Sequence, residues 1–180
     1  FFEEKRLIKM GTWFRVIFLG LLALGLAGCN LETRKPLFAD GDARLLLANY
    51  PNLAPYERND GGWKKSTEPL DFSPEASHYL VKSGNSDMVA SFVPLEGPWW
   101  ILQAAETSGT SSYVLVMAEP KELLIHSLDC KRLQESGRFA DEIEFQDSSC
   151  FIKDTADKMG LFKALTGIAS EPSTKLVSEP

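Results

Sequence analysis

The chain has 180 residues, 44% of them hydrophobic and 24% charged, with a formal net charge of -6. That is the balance of one ordinary globular domain, and it excludes both wholesale disorder and a multispan membrane protein. Lys5, Arg6, Lys9 and Arg15 all precede Cys29, so the chain from Cys29 onward carries 15 basic and 23 acidic side chains, a net -8 that repels phosphate backbones and argues against nucleic acid as a partner.

Val16 to Gly28 is an uncharged, leucine-rich run behind those basic positions. As a helix it would cover roughly 20 Å, short of the roughly 30 Å hydrocarbon core, so it reads as the apolar part of an export signal rather than a membrane span. The run ends in Leu26-Ala27-Gly28-Cys29, an apolar residue, two small ones and a cysteine. This resembles the lipobox of bacterial lipoproteins. The resemblance implies diacylglyceryl transfer to the Cys29 sulfur, cleavage between Gly28 and Cys29, and acylation of the new amino group. At about 0.8 kcal/mol per buried methylene, several acyl chains would make membrane lipid a permanent partner. Asn30 rather than aspartate follows the cysteine, which in enteric-type lipoproteins implies the outer rather than the inner membrane, with the domain facing the periplasm. A start at Met10 gives a compact signal with Arg15 as its leading charge, and residues 1–9 are expected to be an upstream extension.

Residues 29–37 are mostly polar and include Pro36, which predicts a short lipidated tether, and one β-rich domain is expected over 38–169. Asp40-Gly41-Asp42 reads as a plain turn, because the stretch after it supplies none of the later ligands of a calcium loop. Asp60-Gly61-Gly62, between Tyr56 and Trp63, predicts a hairpin, since glycine accepts positive φ freely. Segments 77–82, 88–95, 99–106, 112–119 and 122–128 are then aromatic or β-branched runs separated by short turn sequences. Connections this short force neighbours in sequence to pair, because a parallel crossover needs about a dozen residues. The expected fold class is therefore mainly β with minor α: an antiparallel meander over 77–128, curled into a small barrel or half-barrel. Tyr79, Val81, Phe92, Trp100, Leu102, Val114, Val116, Leu123 and Ile125 are expected on its core face, with the register open by one residue.

An exported chain folds in an oxidising compartment, so Cys130 and Cys150 predict a structural disulfide; closing about twenty residues would stabilise the fold by roughly 3 kcal/mol. Residues 131–137 suit a short helix closed by Gly137, and 141–146 alternate like a strand. Residues 154–168 predict a C-terminal amphipathic helix with Asp154 as N-cap and Asp157 reinforcing its positive end; Leu161, Phe162, Leu165 and Ile168 recur at helical spacing. Residues 170–180 are expected to be a flexible tail.

No G-x-S-x-G, S-x-x-K, phosphate-binding glycine loop or dinucleotide fingerprint occurs after Cys29, so no catalytic residue and no cofactor is assigned. His78 and His126 stand alone in predicted strands, which supports neither a metal site nor a general base. Trp99 and Trp100 are the candidate binding residues: strand neighbours face opposite ways, so if one fills the core the other is either covered by the terminal helix or free to hold a ligand. The leading expectation is a non-enzymatic envelope lipoprotein that binds another envelope protein or a small apolar or glycan ligand. In anchor, size, strandedness and disulfide the chain is also similar to barrel-type periplasmic inhibitors of wall-degrading enzymes, the alternative reading. An envelope enzyme with groups scattered over several strands is the third.

Overall fold

Alternating apolar runs joined by short turns build one twelve-stranded sheet. The computed structural model describes residues 31–67, 71–83, 86–106, 109–146, 149–154 and 157–180. The strands are β1 (Leu31–Thr33), β2 (Leu53–Asn59), β3 (Gly62–Lys65), β4 (Phe72–Glu75), β5 (His78–Ser83), β6 (Ser86–Pro94), β7 (Trp99–Glu106), β8 (Ser111–Ala118), β9 (Glu122–His126), β10 (Ile143–Gln146), β11 (Ser149–Ile152) and β12 (Thr174–Ser178), with helices α1 (Cys130–Ser136) and α2 (Lys158–Thr166). From β4 to β9 the strands pair in chain order, and all of these pairings are antiparallel, as the short connections require. Beyond β9 the order continues through β12 and β2 to β3. The Asn59–Gly62 hairpin closes that end, with Gly62 at φ 109°.

Both faces of the sheet are buried. In β7 and β8, Leu102, Val114 and Val116 join Tyr79, Val81, Phe92 and Leu123 in one core, against which Trp100 and Ile125 pack half-buried. Their sequence neighbours Ile101, Tyr113 and Leu115 point the other way, into a second core with Leu133 of α1 and Leu161, Phe162 and Leu165 of α2. The near-continuous apolar runs of β7 and β8 are what burial on both faces demands. The Phe162 ring lies 5.6 Å from Tyr113 and 5.8 Å from Phe38, so α2 packs across the sheet.

The disulfide joins Cys130, at the start of α1, to Cys150 in β11, with 5.7 Å between the Cα atoms. Asp129 caps α1 by accepting from the Lys131 amide at 2.9 Å, and Gly137 ends it at φ 64°. The cap of α2 is Asp157, not Asp154: its carboxylate accepts from Gly160 N at 3.1 Å. A Cβ at position 160 would lie 2.5 Å from Asp157 Oδ2, so a side chain there would make this carboxylate shift.

Three expectations are corrected. Of the barrel and the half-barrel expected, the closed barrel falls and the mainly β meander stands: the sheet runs as an open curl from β3 to β4, and these two ends are not hydrogen-bonded to each other. The segment 170–180 is not a flexible tail, since it supplies β12, which pairs with both β2 and β9 and buries Thr174 and Leu176. The stretch 29–37 is not all tether. Leu31 is fully buried, and β1 pairs in parallel with β11 and antiparallel with β8. A polar network locks the chain that follows. The Tyr113 hydroxyl meets Thr33 Oγ1 at 2.8 Å and accepts from the Leu37 amide at 3.0 Å, while Gln103 Oε1 accepts from the Leu37 and Phe38 amides at 2.9 and 3.0 Å. The signal segment, the Gly28–Cys29 cleavage position and Cys29 itself lie outside the described residues.

Candidate binding groove

Leu46 and Leu47 drop from a short 3-10 turn, Leu46–Asn49, into the core that holds Tyr79 and Phe92. The strap carrying them is held at both ends. The Arg44 amide donates to Phe92 O at 2.8 Å, and the Tyr50 hydroxyl donates to Glu119 O at 2.8 Å. Burial, then the nearby Glu119 carboxylate, pushes the Tyr50 phenol above its usual pKa. The strap lies between β2 on one side and β4 and β5 on the other, and there it borders a partly open groove of about 490 Å³.

The groove wall is formed by Leu45, Leu47 and Tyr50 of the strap, Leu53 of β2, and Phe72 and Tyr79 of β4 and β5; Ala48, Asn52 and Pro74 complete it, and none of these side chains is charged. Its volume falls within the roughly 300–1,000 Å³ of small-molecule sites. Tyr79 sits edge-on between Phe72 and Phe92, with ring centroids 6.0 and 5.8 Å away. Its hydroxyl is buried and closes no hydrogen bond. The Ala48 and Leu47 backbones face it, yet burial outweighs them and raises the phenol pKa. Pro74 on β4 removes one amide from an edge strand, where such a loss is tolerated.

The residues singled out in the sequence do not converge here as a set. Trp99 and Trp100 point to opposite faces, and both are half-buried: Trp99 packs on the helix-side core with its ring 5.0 Å from His126, and Trp100 packs on the strap-side core. Neither stands free as an exposed ligand platform. His126 is a buried histidine tied to Ser170 O through Nδ1 at 2.7 Å. His78 lies 3.6 Å from Asp40 Oδ1 and 3.8 Å from Glu75 Oε2, outside hydrogen-bond reach of either. Among the described residues no group of three His, Cys, Asp or Glu side chains is placed to hold a metal ion.

The groove itself was not singled out in the sequence. Its signal was the run Leu45-Leu46-Leu47, apolar beyond what one turn needs, flanked by Tyr50 and followed, beyond two intervening strands, by Phe72. No family model, no curated protein and no solved structure matches this chain.

Proposed function

We propose that this chain is a lipid-anchored envelope protein, acylated at Cys29, whose domain faces the periplasm and works by binding rather than by catalysis. The anchor rests on the Leu26-Ala27-Gly28-Cys29 pattern behind an apolar run too short to span a bilayer. The binding role rests on one observation: the uncharged, largely apolar groove of about 490 Å³ between the strap, β2, β4 and β5. A wall of leucine and aromatic rings without a charge favours a small uncharged apolar molecule and disfavours an anionic or cationic one, which would lose its hydration without compensation.

The experiment is titration of the purified mature protein with the neutral apolar dye Nile red, followed by fluorescence. Leu45→Arg, at a half-buried groove position, places a charge in the wall without emptying either core. Saturable enhancement that Leu45→Arg weakens by roughly tenfold, about 1.4 kcal/mol of binding, supports the reading. Absence of saturable binding, or binding equal in both proteins, removes the groove as a ligand site.

A further inference from the structure

Leu31, the first described residue, lies two residues after the proposed lipid anchor and already belongs to the folded body. Leu31 is fully buried and paired on both sides, to Cys150 of β11 and Tyr113 of β8. Two residues span at most about 7 Å, so an acylated Cys29 could not hold the domain on a long leash.

The strand register fixes where that leash leaves the body. On one edge of β8, Tyr113 pairs with Leu31, and Leu115 pairs with His126, the last residue of β9. Leu31 therefore lies beside the end of β9, where residues 127–129 lead straight into α1. The disulfide ties the same place together, since Cys150 pairs with Leu31 and is bonded to Cys130 at the start of α1. The charged side chains here are Asp129, Lys131, Arg132, Glu135 and Arg138. Asp129 is used in capping, and Glu135 approaches Lys131 at 3.9 Å. Lys131, Arg132 and Arg138 are exposed, so 127–138 carries three basic against two acidic side chains on a chain that is otherwise acidic.

We propose that residues 127–138 are the membrane-facing surface: the short leash seats Lys131, Arg132 and Arg138 on anionic phospholipid headgroups and fixes the orientation of the domain on the bilayer. This rests on the reading that Cys29 is acylated. The cations do not recruit the protein to the membrane; they orient a body that the acyl chains already hold there.

The test uses the full lipidated protein in vesicles of phosphatidylethanolamine and phosphatidylglycerol carrying a photoactivatable headgroup, with peptide mass spectrometry of the crosslinks and the intact mass as an independent readout of acylation. Crosslinks concentrated in 127–138 over the β2–β3 hairpin are expected. A long Gly-Ser linker inserted between Asn30 and Leu31, or the pair Arg132→Glu with Arg138→Glu, should lower them several-fold while the acyl mass stays intact. Acylated protein whose crosslinks are evenly spread, or fall on the hairpin, overturns the orientation alone. Protein without acyl mass overturns the anchor and the orientation together.

Discussion

Leu176→Ala is the sharpest perturbation of this fold, because it tests a strand near the chain's end that occupies the interior of the sheet. Leu176 is 4% exposed, and its register partners are Leu123 on β9 and Pro55 on β2. Truncation of a leucine in such a place costs 2–5 kcal/mol, the spread reflecting how far the cavity collapses. Here collapse is limited, since strands on both sides hold the β12 backbone in place. A loss of about 3 kcal/mol, at roughly 2–4 °C per kcal/mol for a domain of this size, lowers the melting temperature by roughly 6–12 °C. Thermal unfolding followed by circular dichroism measures it, with Glu171→Ala as the control. Glu171 lies just before the strand with its side chain 80% exposed, and its loss should stay within about 0.5 kcal/mol. Equal melting temperatures for the two variants would refute the placement of β12 between β2 and β9.

Reduction of the Cys130–Cys150 disulfide, or the pair Cys130→Ala with Cys150→Ala, should lower stability by roughly 3 kcal/mol, the chain-entropy value for a separation of 20 residues; an unchanged urea midpoint would contradict a bridge that constrains the unfolded chain. Tyr113→Phe removes the hydroxyl shared by Thr33 and the Leu37 amide in a buried network, and should cost about 1–3 kcal/mol together with faster amide exchange in 31–38. Protection unchanged in that segment would argue that the network does not hold β1. The Glu179 carboxylate is held below its usual pKa by hydrogen bonds from Lys65 and then Tyr56. Its contribution is therefore present above the unfolded carboxylate pKa and lost as pH falls through the lower folded value. Glu179→Gln should flatten the acid side of the stability profile; a profile as steep as the parent's would place that slope elsewhere.

The meander was legible because its turns are short and its strands aromatic or β-branched, and the expected core face was the right one. Burial of the opposite face was carried by the same residues. Ile101-Leu102 and Tyr113-Val114-Leu115-Val116 are apolar in succession, a pattern for a sheet covered on both sides rather than one. That also accounts for Trp99 and Trp100: with a core on each face, neither had to look outward. Thr174-Lys175-Leu176-Val177-Ser178 does place Thr174 and Leu176 on one buried face, but five residues among Pro and Ser resemble a tail until β2 and β9 are there to pair with it. The three residues of β1 are shorter than any sequence period can reveal; burial of Leu31, the Thr33–Tyr113 contact and the two flanking strands hold them. Asp154 and Asp157 are equally good caps by residue type, and it is the helix start at Lys158 that makes Asp157 the cap, accepting from Gly160 N. The groove depends on β2, β4 and β5, far apart in sequence, facing one strap, a long-range event with no local pattern.

The intact mass and membrane fractionation of the protein made in a Gram-negative host, beside Cys29→Ala, test the anchor most directly. Acylation at Cys29 gives a membrane-bound chain beginning at Cys29 whose excess mass equals a diacylglyceryl group plus an acyl chain, and a Cys29→Ala protein lacking that mass. A wild-type product that stays soluble, unmodified and uncleaved at Gly28–Cys29 would contradict it.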